Sequence, residues 1–138
     1  MEEKKDVLEL ILSGEQLTRK VKTKRGTFVI AFPLPKDLRE IEINTVRMMD
    51  GLPADSFTKD QLATFRAYAT LEKIIVEAPE WWKNLESSED CPDDNLITFL
   101  YGRYLHFYKS TQKAIGESGF ARSSGGSGAK AKGKAVDN

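Results

Sequence analysis

Five prolines, at positions 33, 35, 53, 79 and 92, decide where regular structure in this chain has to stop. Proline lacks an amide hydrogen and fixes φ, so neither a helix interior nor a central strand runs across one. Pro33-Leu34-Pro35 ends a strand and places Pro35 in the first turn of a helix. Asp50-Gly51-Leu52-Pro53 has the glycine-then-proline pattern of a helix stop, and Pro79 closes the helix that follows.

Between these stops the apolar spacing predicts an α+β fold. Residues 3–12 place Val7, Leu8, Ile11 and Leu12 at helical intervals, and Ser13-Gly14 ends that helix. Residues 17–23 alternate in strand fashion, with Leu17, Arg19, Val21 and Thr23 on one face. Lys24-Arg25-Gly26 turns the chain into a β-branched and aromatic run over 27–32, which completes a hairpin. A helix over 36–49 carries Leu38, Ile41, Val46 and Met49. The next, capped by Ser56 or Thr58, reaches about Glu77 and carries Leu62, Phe65, Ala69, Ile74 and Ile75. Trp81, Trp82 and Leu85 form a short helical turn. After a polar loop over 86–92, Asp93 or Asp94 caps a last helix over 95–115, apolar at Leu96, Phe99, Leu100, Tyr104, Phe107 and Tyr108. The expected architecture is a small β-hairpin packed on a mainly helical body, a single domain over 1–115 followed by a disordered C-terminal tail.

The tail, 116–138, is Gly, Ser, Ala and Lys with Phe120 as its one large apolar residue. It cannot bury enough surface to offset the entropy of ordering. It reads as a solubilising tail, a binding arm for an anionic or protein partner, or a linker.

Composition excludes more than it assigns. Lys plus Arg is 21 and Asp plus Glu is 21, so net charge gives no pull toward nucleic acid or anionic membrane. One cysteine and one histidine exclude a disulfide framework and a Cys/His metal cluster. No stretch reaches the length and apolarity of a membrane span, and the mixed-charge start Glu2-Glu3-Lys4-Lys5-Asp6 is unlike a signal peptide. A cytoplasmic protein is the expectation.

Catalytic chemistry finds little footing. His106 lies within an aromatic helix and reads as a packed or surface residue. Cys91 stands among Glu89, Asp90, Asp93 and Asp94, whose negative charges disfavour a thiolate. The acidic 86–94 loop lacks the oxygen-ligand alternation and central glycine of a calcium loop. No glycine-rich phosphate loop occurs between a strand and a helix. The expectation is a protein that is not an enzyme and uses no cofactor or metal.

Two features could bind. Arg19, Lys20, Lys22, Lys24 and Arg25 put five positive charges into seven residues, with Phe28 nearby. They either track an anion such as a nucleic-acid backbone or guard an exposed strand edge. Trp81 and Trp82 point about 100° apart on one helical turn, so one packs inward and the other is at least partly exposed. They serve either as core anchors clamping the last helix or as a partner-binding surface with Tyr101, Tyr104 and Tyr108. Self-association through the hairpin edge or the aromatic helix is a further expectation.

The small hairpin, Phe32-Pro33-Leu34-Pro35 leading into a helix, Gly51-Leu52-Pro53, and the phrase Val76-Glu77-Ala78-Pro79-Glu80-Trp81-Trp82 together resemble tail-assembly chaperones and related tail-module proteins of long-tailed bacteriophages. The resemblance covers about residues 15–115. It implies a non-enzymatic protein that binds the tape-measure protein during tail assembly in the host cytoplasm. Some members carry a frameshifted C-terminal extension, which would begin where the tail lies here. No functional residue carries over from the family, because no motif aligns residue by residue. The alternatives are a minor structural component of the virion, in the tail or neck, and a nucleic-acid-binding protein using the basic hairpin.

Overall fold

The computed structural model describes residues 7–117. Among them are five α-helices, α1 (Val7–Leu12), α2 (Pro35–Met48), α3 (Lys59–Ile74), α4 (Glu80–Lys83) and α5 (Asp94–Glu117). Three strands, β1 (Thr18–Thr23), β2 (Gly26–Ala31) and β3 (Ile75–Glu77), form one antiparallel sheet in the order β1-β2-β3. The fold class is α+β. Among the described residues the contacts form two compact units, Thr18–Phe107 and residues 7–17 with 108–117. Residues 3–6 of the expected first helix and 118–138 of the expected tail lie outside the described residues. The last helix runs through Glu117, past its expected end near Ile115.

In the smaller unit, α1 stops where Gly14 turns to φ +93°, with the Gly14 and Glu15 amides donating back to the Ile11 and Leu10 carbonyls at 3.0 Å. Its other described part is the end of α5, where Gln112 donates to the Tyr108 hydroxyl at 3.2 Å.

The larger unit is built around the sheet. Val21 pairs with Phe28 across the hairpin, and both are sealed from solvent with Ile30 on the same face. Lys20 and Lys22 point from the opposite, open face, as the alternation of β1 requires. The turn at Lys24-Arg25 keeps negative φ at both positions, so the strand twist is recovered by Gly26 at φ +128°. Thr23 fixes the turn, its hydroxyl donating to the Gly26 carbonyl at 2.7 Å and accepting the Arg25 amide at 3.0 Å.

Helices α2 and α3 pack as an antiparallel pair. Asp37 accepts the Leu34 amide at 2.9 Å and closes the start of α2. Lys73, near the end of α3, reaches Glu40 at 2.6 Å and Asp37 at 3.7 Å, while Arg66 bonds Glu42. The buried side of α2 is Ile41 and Thr45, whose hydroxyl is satisfied by the Ile41 carbonyl at 2.8 Å. Val46, expected on that side, is instead 61% exposed. It lies five residues from Ile41, about 140° around the helix. The stop after α2 is as expected, with Asp50 at φ +57° and Gly51 at φ +82°. Thr58 rather than Ser56 caps α3, exchanging hydrogen bonds with Gln61 at 2.9 and 3.1 Å.

The third strand departs from the expected helix over 75–77. Ile74-Ile75-Val76 is β-branched, and Pro79 disfavours helical geometry at Ala78. The chain therefore leaves α3 at Ile75 and pairs with the free edge of β2, Ile30 with Ile75 and Val29 with Glu77. Val76 is the extra residue of a bulge between those pairs, which leaves it 44% exposed.

Candidate interaction surfaces

The hairpin tip is held by an aromatic knot. Trp81 and Trp82 lie edge-on to Phe28 with ring centroids at 6.3 and 5.4 Å, and edge-on to each other at 5.8 Å. Both are half-buried, so burial is shared rather than split into one inward and one outward ring. The indole N–H of Trp81 donates to the Arg25 carbonyl at 2.8 Å. Pro79, one residue before α4, leans on Gly26 so closely that a Cβ there would lie 2.4 Å from its Cγ. The tryptophans thus clamp the hairpin, where the sequence left open a clamp on the last helix or a partner-binding surface.

Arg25 also bonds outward. Its Nε donates to Asp93 at 2.9 Å. Asp93 caps α5 with its other oxygen, which accepts the Leu96 amide at 3.1 Å. The Arg25 guanidinium, with the Leu96 amide second, holds the Asp93 carboxyl below its ordinary value. Of the basic cluster, Arg25 is therefore a structural staple. Arg19 lies with its guanidinium 4.9 Å from the Phe107 ring centre and is half-buried. Lys20, Lys22 and Lys24 are exposed and make no ion pair among the described residues. Phe28 is fully buried and offers no stacking face to a nucleic-acid base.

The tyrosines of α5 separate in the same way. Tyr104 is core at 5% exposure, on the stripe Leu96, Leu100, Tyr104 and Phe107. Tyr101 is half-buried, its ring 5.8 Å from that of Tyr104. Tyr108 is half-buried. Phe99, expected among the apolar contacts of the helix, is 46% exposed. At about 100° per residue it stands some 95° from the centre of that buried stripe, a signal that was present in the sequence.

Two hollows flank the first turns of α5. One, about 580 Å³, lies between them and the hairpin tip, and its walls include Lys22, Lys24, Arg25, Asn95, Leu96 and Phe99. The other, about 540 Å³, lies toward α3 and includes Tyr68, Asp94 and Tyr101. Burial, then the charges of Asp94, Glu89 and Cys91, push the Tyr68 phenol up from its ordinary value. The polar loop before α5 is pinned by Glu72, whose Oε2 accepts the Ser88 hydroxyl at 2.7 Å, the Ser88 amide at 2.9 Å and the Ser87 hydroxyl at 3.0 Å. Cys91, which follows in the same loop, is 3% exposed. His106 is exposed.

Among the described residues, no group of three or more His, Cys, Asp or Glu side chains is placed to hold a metal ion. No helix among them is long and apolar enough to cross a membrane. No family model, curated protein or solved structure matches the chain.

Proposed function

We propose that this chain is a non-catalytic protein-binding module that acts as an assembly chaperone for a phage tail, with the tape-measure protein as its partner in the host cytoplasm. The observation that carries the protein-binding part is apolar surface left open on outer helical faces. Ile43 and Val46, one turn apart on α2, are 46% and 61% exposed, and Phe99 on α5 is 46% exposed. Covering such side chains is favourable by about 25 cal/mol per Å², which suits a surface that shields apolar helical stretches of a partner. The tail-assembly part rests on the resemblance carried by Phe32-Pro33-Leu34-Pro35 and by Glu77-Ala78-Pro79-Glu80-Trp81-Trp82.

The test is capture from the producing cell with the intact chain as bait, read by mass spectrometry, beside Val46→Asp and Phe99→Ala. Recovery of one long, helix-rich tail protein, weakened by either substitution, is the expected result. Recovery of assembled particles would instead make the chain a virion component, and recovery of the bait alone would sink the reading.

A further inference from the structure

We infer that the groove between the hairpin tip and the first turns of α5 docks an acidic protein segment that seats an apolar side chain against Phe99. This inference rests on the protein-binding reading and gives it a place and a partner chemistry.

Three observations converge. Lys22 and Lys24 line the groove with no ion pair among the described residues, and Asp93, the carboxylate in its wall, is already engaged by Arg25. The groove is therefore a positive concavity on a chain of zero net charge. Its lining also has an apolar part, Leu96 and Phe99, and Phe99 is left 46% open. The flank of α5 that carries Asn95 and Phe99 continues at helical steps to Gly102 and Arg103, both exposed. A Cβ at Gly102 would meet nothing within 4 Å. No contact among the described residues requires glycine there, whereas a partner backbone passing close to α5 would.

A segment with carboxylates for Lys22, Lys24 and Arg103 and one large apolar side chain for the hollow satisfies all three. Single-stranded nucleic acid fits less well. It needs successive aromatic faces along a basic track. The aromatic nearest the cluster in sequence, Phe28, is fully buried, and Phe99 is the one aromatic among the described residues that line the groove.

The test uses the full isotope-labelled chain and three probes, the peptide Glu-Glu-Leu-Trp-Glu-Leu-Glu, its counterpart with every Glu replaced by Lys, and oligodeoxythymidine. The acidic peptide should shift the amides of residues 22–26 and 95–103 saturably, and the lysine peptide should not. Lys22→Glu with Lys24→Glu, and separately Phe99→Ala, should each weaken binding about tenfold or more. Gly102→Leu, which adds a helix-favouring side chain into open space, should weaken it while the fold is retained. An acidic peptide that leaves these amides unmoved, or binds the charge-reversed chain equally well, overturns the inference. So does oligodeoxythymidine moving the same amides more tightly. In the cell-extract capture, a partner held equally by wild type and the charge-reversed chain removes the groove but keeps the protein-binding module. A groove that takes the acidic peptide while the wild-type bait captures no protein removes the tail-assembly reading instead.

Discussion

The indole nitrogen of Trp81 donates to the main-chain carbonyl of Arg25 across 56 residues of sequence, at 2.8 Å. The tip of the hairpin is thereby tied to the turn that follows the sheet. Losing that bond while keeping a ring, as in Trp81→Phe, should cost about 0.5–1.5 kcal/mol. Trp82→Ala removes a ring packed 5.4 Å from the buried Phe28 and should cost more, about 2–4 kcal/mol. Thermal melts of the two variants check the order. The consequence for function is practical, because a binding defect in Trp82→Ala would report a loosened hairpin as readily as a lost contact.

The Arg25–Asp93 pair predicts a pH signature. Asp93 titrates below its ordinary value in the folded chain, mainly through Arg25 and then through the Leu96 amide. Its contribution is present above the unfolded carboxylate range and is lost as pH falls through the folded value. Asparagine is as good a helix cap as aspartate, so Asp93→Asn removes the charge while sparing the cap of α5. Wild type should melt above this variant at neutral pH, and the two melting temperatures should converge as pH falls below that of an ordinary carboxylate. Arg25 is 63% exposed, so added salt should narrow the gap as well. A gap that persists in acid would mean that the pair is not its source.

Two glycines should respond in opposite directions. Gly26 combines φ +128° with Pro79 where a Cβ would go, so Gly26→Ala should destabilise by about 2–3 kcal/mol. Gly102 stands in the interior of α5 with open space around it. Gly102→Ala should stabilise by about 0.5–1 kcal/mol, the helix-propensity difference. Denaturant melts of both variants at one pH provide the comparison. A destabilised Gly102→Ala would show that the position is crowded in solution.

Most of the elements are legible in the residues because punctuation and periodicity agree locally. Pro35 opens α2, Gly51 follows its end, Thr58 and Gln61 open α3, and the face of β1 that holds Arg19, Val21 and Thr23 is the inward one. What is not legible depends on long-range partners. Ile75 and Val76 continue the apolar run of α3, and only the open edge of β2 makes them a strand. The basic cluster looks uniform as text, yet Arg25 is committed to Asp93 and Arg19 to Phe107, which leaves the three lysines as the cations with no such partner among the described residues. The tryptophans are recognisable as anchors, but nothing local says that they hold the hairpin rather than the last helix. Phe99 was within reach, because the angular position of each residue on α5 separates it from Leu96 and Leu100.

Cys91 gives a direct reading of the loop before α5. It is 3% exposed, and its amide donates to the Ser88 carbonyl at 3.1 Å. Ser88 is in turn held by Glu72 through its hydroxyl and its amide. The thiol should therefore react slowly with a disulfide reagent in the native chain and at the full rate once it is unfolded. Glu72→Ala deletes the acceptor for Ser87 and Ser88 together, so the loop should open locally at a smaller cost than global unfolding. Native-state labelling of Cys91 should then speed up by about tenfold, well beyond what the drop in global stability accounts for. Equal labelling rates in wild type and Glu72→Ala would mean that packing around Cys91, rather than the Glu72 carboxylate, keeps the loop closed.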